Sequence, residues 1–250
     1  MRLDLFLVEK NHFDSRNKAK VAIEAGNIYI NGKQITKSSF DVLDTDNIEI
    51  KGELNPYVSR GGLKLEAAIK NFYLSFKDKV IVDIGASTGG FTDCSLQFGA
   101  KKVYAIDVGT NQLADKLLND NRVISLEQTN IKDIEFFPEP IDYLVMDVSF
   151  VSIGHLLPEI SNHITDDNAL ICLIKPQFEV GKVHMKNGIV KDRTTHIKVL
   201  ENVNEELKKY NLGIEKLIPS PILGGSGNKE FLALIKRNIT TRVNFLEACK

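Results

Sequence analysis

Four charged residues spread along the chain, Lys64, Asp147, Lys175 and Glu230, are of the types that remove a proton and hold an oxygen in place. An ammonium crowded by a second one, or withdrawn from water, gives up its proton more readily, and neighbouring carboxylates fix its position. Such a set suits an in-line group transfer, where most of the help is positioning plus removal of one proton from a weak acid. On this reading Lys175 is the base, Asp147 and Glu230 orient the two ammoniums, and Lys64 holds the target oxygen. Each has a plainer reading: Lys175 as a solvated strand-end charge before Pro176, Asp147 as a turn cap ahead of Ser149, and Lys64 and Glu230 as surface charges. Other chemistries find less support. His12, His155, His163, His184 and His196 have no ligand or triad spacing, so no metal is expected, and neither Ser149 nor Cys94 has an evident base nearby.

A second cluster is the run Asp83-Ile84-Gly85-Ala86-Ser87-Thr88-Gly89-Gly90-Phe91, which follows a buried-type apolar segment. A glycine turn between strand and helix lets backbone N–H groups approach a ligand closely. Asp107, followed by Val108, stands 22 positions after Gly85, where such folds carry the acid that bonds a ribose. Ser87 occupies the position of the middle glycine that a pyrophosphate requires, so a cofactor without phosphates fits better, and S-adenosylmethionine is one. A dinucleotide and a purely structural turn are the alternatives, and Asp107 also reads as a strand-end cap.

These residues need elements to position them. From residue 80 the chain alternates strand and helix, with continuous apolar strands at 80–84, 103–107, 123–126, 143–147 and 169–174, as in sheets covered on both faces. Helical stretches fall near 90–98, 111–119, 152–163 and 193–210, and a final pair, 214–222 and 230–236, is joined by a glycine loop at 224–227. The pattern predicts an α/β fold, a doubly wound, mostly parallel Rossmann-like sheet with an antiparallel terminal strand. Ligands bind outside the carboxyl ends of such strands. Asp147 and Lys175 end strands there, Glu230 begins an antiparallel one, and Lys64 lies in the first turn of a helix running from residue 63 to about 72. Topology therefore predicts that the four converge.

Residues 1 to about 52 read as a small α+β unit. Leu3, Phe6, Leu7 and Lys10 follow helical spacing. Asp14 or Ser15 caps a second helix, with Val21, Ala22 and Ala25 on one face and Gly26 ending it. Asn31-Gly32 suits a type I′ hairpin turn between 28–30 and 33–35, and a strand at 47–50 follows. The stretch 51–56 has linker composition. The division adopted is 1–55, a linker at 56–62, and 63–250.

Composition bounds the class. Apolar residues at 43% and charged residues at 26% of 250 exclude disorder, and a net charge of −1 excludes a global polycation. Three separated cysteines, Cys94, Cys172 and Cys249, fit a reducing cytosol and exclude a disulfide scaffold. No stretch reaches the ~18 apolar residues of a spanning helix, and the N-terminus, broken by Asp4 and Glu9, lacks a secretory core. A cytoplasmic protein without a membrane partner or an obligate protein partner is expected.

The motifs together resemble the TlyA family of ribosomal RNA 2′-O-methyltransferases, some of which are called hemolysins. The resemblance rests on the opening Arg2-Leu-Asp-Leu-Phe-Leu-Val-Glu-Lys10, on Tyr57-Val-Ser-Arg-Gly-Gly-Leu-Lys64, and on the glycine run from Asp83. Asp147-Val-Ser-Phe150, Lys175-Pro-Gln-Phe-Glu-Val-Gly181 and Gly227-Asn-Lys-Glu230 extend it over nearly the whole chain. It implies an N-terminal S4-like RNA-binding domain and an FtsJ-like methyltransferase domain. It also implies S-adenosylmethionine as donor, a cytidine 2′-hydroxyl of 23S and, in longer members, also 16S rRNA as acceptor, and Lys64, Asp147, Lys175 and Glu230 as the catalytic set. Asn130 falls near the adenine in this scheme, while Gln128 stands where the family has arginine. Ribosomal RNA or a ribosomal subunit is the implied partner.

The RNA side is written locally. Residues 10–20 carry a net charge of +3, although 1–64 hold 10 basic against 9 acidic residues. Arg2, Lys10, Arg16, Lys18, Lys20, Lys33 and Arg60 are the candidate RNA-binding residues, suited to phosphates rather than to base reading, with a solvated helix face as the plain alternative. Two other function classes compete: a membrane-active hemolysin, which would need a spanning or strongly amphipathic segment, and a non-catalytic RNA-binding or ribosome assembly factor.

Overall fold

The computed structural model describes all residues except Asp14, Glu53, Leu54 and Lys182, Val183 and His184. Asp14 as a cap, part of the 51–56 linker and His184 therefore lie outside the described residues. The chain divides into two compact units, Met1–Arg60 and Gly61–Lys250.

In the first unit, α1 (Leu3–Glu9) buries Leu3, Phe6 and Leu7, one helical stripe. Ser15 caps α2 (Arg16–Glu24), its side chain accepting the Lys18 N–H. The buried face of α2 is Ala19, Ala22 and Ile23, not the expected Val21, Ala22 and Ala25. Ile23 carries more apolar surface than Ala25, and Ala25 sits at the exposed C-cap. Strands β1 (Ile28–Ile30) and β2 (Lys33–Ile35) pair antiparallel through Asn31 and Gly32, both at positive φ as a type I′ turn requires. β3 (Ile48–Ile50) pairs with the other edge of β1, and the sheet closes over α1 and α2 around Phe6, Ile23 and Ile28.

The second unit opens with α3 (Gly61–Phe72), two residues earlier than expected, because Gly62 is buried in its first turn. A seven-stranded sheet follows. Its strands are β4 (Val80–Ile84), β5 (Lys102–Ile106), β6 (Val123–Leu126), β7 (Tyr143–Met146), β8 (Ala169–Ile174), β9 (Leu212–Pro219) and β10 (Phe231–Arg237). Their order is β6-β5-β4-β7-β8-β10-β9, and only β10 runs against the rest. Strand order reverses at β4, which sets the crevice where such sheets take ligands. Val80, Val82 and Ile84 pack with Leu157 of α6 (Ile153–Ile160) and with Leu200 and Val203 of α8 (Arg193–Lys208). By strand alternation, Asp83 points the other way.

Several elements depart from expectation for definable reasons. The helix expected at 111–119 is only α5 (Asp115–Leu118). The N–H groups of Asn111 and Gln112 bond the Glu127 carboxylate and that of Gly109 bonds Asp107, so the backbone there cannot wind. The 152–163 stretch is α6 followed by a 3₁₀ turn, Ser161–His163. β9 stops at Pro219, which has no N–H to offer the ladder. A short α7 (Pro176–Glu179), with proline at its first position, and α9 (Phe245–Ala248), capped by Asn244, carried no clear periodic signal.

Candidate active site

Asp147 follows the last residue of β7, Lys175 follows the last residue of β8, and Glu230 precedes the first of β10. The antiparallel register pairs Phe231 with Ile174, which sets Glu230 across from Lys175. Lys64 rises from the first turn of α3. The four side chains meet. Lys64 Nζ donates to Glu230 Oε2 at 2.8 Å and lies 3.7 Å from Asp147 Oδ2. Lys175 Nζ is 2.6 Å from Asp147 Oδ1 and donates to Ser149 Oγ at 2.8 Å. Lys64, Lys175 and Glu230 are buried. Two ammoniums and two carboxylates alternate along one connected series, so the cluster is neutral although withdrawn from water. An ion network of this kind is weak stabilisation, because desolvation offsets the attraction, so its presence at the strand ends points to chemistry rather than to stability.

The surroundings add residues that sequence reading left out of the site. Gln177 Nε2 donates to Glu230 Oε1 at 3.0 Å and fixes the carboxylate from its other side. Gly224 is small by necessity: a Cβ there would stand 2.4 Å from Glu230 Oε1. Glu179 at the end of α7 accepts from Ser152 Oγ at 2.7 Å and the Ile153 N–H at 2.9 Å, tying the segment after Lys175 to the segment after Asp147. Burial pushes its carboxyl above the ordinary range. Phe150 is 90% exposed at φ 66°, an uncommon conformation for a bulky residue, and its ring leans on Phe178, over which Lys175 Nζ sits at 5.8 Å. The signal for Ser149, Phe150, Gln177 and Phe178 was their adjacency to Asp147 and Lys175.

The glycine run turns sharply between β4 and α4 (Gly90–Gln97), with Gly85, Ser87 and Gly89 at positive φ. Ser87 is exposed and Gly85 and Thr88 are half-buried. Ala86, Gly89, Gly90 and Phe91 are buried, so Phe91 belongs to the packing rather than to an open surface. Asp107 has its two oxygens engaged by the N–H groups of Ser87 at 2.8 Å and Gly109 at 2.7 Å, which positions the loop as much as any ligand. Val108 beside it is 70% exposed, an apolar side chain left in the open. Asn130 caps a 3₁₀ turn (Ile131–Asp133) by accepting the Lys132 N–H.

Asp83 is fully buried. Thr92 Oγ1 donates to its Oδ2 at 2.6 Å, while Oδ1 has no partner among the described residues. Burial first, then the charges of Asp147 and Asp107, push its carboxyl up to about 7. Three acids thus crowd the ends of β4, β5 and β7. That field favours a cationic ligand and disfavours the two phosphates of a dinucleotide.

In the first unit, Arg2 and Arg16 converge on the buried Asp4, and Lys10 pairs with Asp44 at 3.0 Å. Lys20 is half-buried one turn beyond Arg16 on α2, and Lys18 lines a cavity with His12 and Tyr57. Lys33 is exposed beside the hairpin turn, and Arg60 is half-buried at the end of the unit. Among the described residues no cluster of three metal-type ligands occurs, and no helix is long and apolar enough to cross a membrane.

Comparison with known proteins places both units. A family profile described as FtsJ-like methyltransferase matches residues 57–237, and one for the S4 domain matches residues 1–48. The chain is 45% identical over 237 residues to "Hemolysin A" of Brachyspira hyodysenteriae, covering 93% of this chain and 98% of that one. It is 36% identical over 242 residues to "16S/23S rRNA (cytidine-2'-O)-methyltransferase TlyA" of Mycobacterium tuberculosis, covering 94% and 89%. A solved structure from Streptococcus thermophilus, described as a proposed hemolysin, superposes with a TM-score of 0.79 at 42% identity, covering 100% of this chain and 94% of that one.

Proposed function

The chain belongs to the FtsJ-like methyltransferase family, and on that footing we propose that it methylates the ribose 2′-hydroxyl of a cytidine in ribosomal RNA, with S-adenosylmethionine as donor. The donor fits the acid-lined crevice: it carries a sulfonium and no phosphate, and three carboxylates surround the strand ends there. Gly85, Ser87, Asp107 and the exposed Val108 would hold it. When bound it supplies an electrophilic methyl carbon, and the acceptor oxygen must then lose its proton as the new O–C bond forms.

The chain's own residues supply that proton transfer. Lys175 first releases its proton to solvent; the neutral Nζ then takes the hydroxyl proton, and the ammonium so restored is the state that Asp147 and Ser149 hold. Lys64, balanced by Glu230, holds the oxygen as charge develops on it. Phe150 and Phe178 offer ring faces beside Lys175 for the base of a nucleotide turned out of its stack. The S4 unit, with its basic α2 and with Arg2 and Lys10 flanking α1, supplies RNA affinity. The RNA of both ribosomal subunits is a candidate target, and ribosomal work sets the protein in the cytoplasm.

One observation carries this reading, the unbroken series Glu230–Lys64–Asp147–Lys175. The test is Lys175→Ala. It should keep S-adenosylmethionine binding by calorimetry and lose methyl transfer to ribosomal subunits. Full activity in that variant would remove the proposed base.

A further inference from the structure

Asp4 is completely buried, yet its carboxylate bonds two arginines that are not. Arg2 donates through Nε at 3.0 Å and Nη2 at 3.1 Å, and Arg16 donates through Nε at 2.7 Å. Both arginines reach the same oxygen, Oδ2, so the guanidiniums are drawn side by side where two like charges would otherwise spread apart. Their side chains are 43% and 48% exposed against 0% for the acid between them. Among the described residues Arg16 commits only its Nε–H and keeps both terminal nitrogens, and Arg2 keeps Nη1. A guanidinium fixed in this way presents a planar fork that matches phosphate oxygens, which a mobile lysine does not.

We infer that Asp4 is a positioning residue: it assembles Arg2 and Arg16 into a two-guanidinium clamp for one phosphate of an RNA backbone. The inference rests on the proposed RNA function and adds how the surface is built. The acid works by geometry against its own charge. Held at about 2 chiefly by the Arg2 hydrogen bonds, with Arg16 adding to them against the cost of burial, it stays ionised wherever RNA binding is measured.

That opposition makes the test decisive. Asp4→Asn removes a negative charge from an RNA-facing surface, so electrostatics alone demand tighter binding. The clamp demands the reverse. With full-length chain and transcribed 23S rRNA, Asp4→Asn should bind several-fold more weakly, and its log–log salt slope should fall by about 1, the value for one phosphate no longer neutralised. Glu24→Gln makes the same charge change on exposed α2 surface and should bind as well as the wild type or better. Circular dichroism checks folding. Should Asp4→Asn not fold, Arg16→Lys decides, since it keeps the charge and loses the fork. Asp4→Asn binding like Glu24→Gln, or Arg16→Lys binding with unchanged affinity and slope, overturns the clamp. Wild-type chain without salt-dependent binding overturns the RNA function itself, a separate and recognisable result.

Discussion

Replacing Asp83 by asparagine should change the stability of the larger unit in a direction that depends on pH. Asp83 is a carboxyl with no access to water, one oxygen bonded to Thr92 and the other without a partner among the described residues. Its folded-state value of about 7 lies above the ordinary 3.8, so its contribution to stability is fully present below 3.8 and is lost as pH rises through about 7. Each unit of difference corresponds to about 1.4 kcal/mol, so ionised Asp83 costs the folded chain about 4 kcal/mol at pH 8.5. At pH 5 most of that cost is absent. The wild type should therefore lose about 3 kcal/mol between pH 5 and pH 8.5 through this group alone.

Asparagine does not titrate. It does leave an amide N–H where Oδ1 had no partner, a pH-independent cost of about 1–3 kcal/mol. Asp83→Asn should accordingly match the wild type or fall slightly below it at pH 5 and exceed it by about 1–3 kcal/mol at pH 8.5. Urea unfolding of both proteins at both pH values measures this, and groups such as Glu179 and His196 cancel because both proteins contain them. A stability difference that stays constant within about 1 kcal/mol across the two pH values would refute the reasoning. The bound donor should sense the same group. A cationic donor in the acid-lined crevice would favour the ionised form of Asp83, so S-adenosylmethionine should bind the wild type more tightly as pH rises through 7, and Asp83→Asn should show no such rise by calorimetry.

Two further outcomes follow from the site's packing. Gly224→Ala forces a methyl against Glu230, which displaces the carboxylate from Lys64; methyl transfer should fall roughly tenfold or more while donor affinity stays unchanged, measured by single-turnover assay and calorimetry. Phe150→Gly suits a positive φ and removes an exposed ring, so stability should change by no more than about 1 kcal/mol in urea melts while KM for RNA rises.

How much of this was legible in the sequence follows from what fixes each feature. The apolar runs specified the parallel strands nearly to the residue, because strands covered on both faces admit few polar positions. The meeting of Lys64, Asp147, Lys175 and Glu230 followed from strand order and direction, which the strand–helix rhythm already implies. What sequence hid depends on partners far along the chain. α5 is short because Glu127, more than a dozen residues away, takes the N–H groups of Asn111 and Gln112. Arg2 and Arg16 counted equally with five other cations until Asp4, an acid in an apolar stripe, drew just those two together. Gln177 gave no periodic or compositional signal, since its role is one hydrogen bond to a carboxylate 53 positions on.

The position of β10 has a consequence for biosynthesis. The strand is the last of the sheet to be made, yet it sits between β8 and β9 rather than outside them. Until residues 231–237 have been synthesised, β8 has no neighbour on one side, β9 has no strand to join, and Glu230 has no fixed place beside Lys64. A nascent chain would therefore lack a complete site until this strand has emerged, although Lys64, Asp147 and Lys175 precede it. The late strand also leaves two open edges, which makes chains truncated before it the ones most exposed to aggregation.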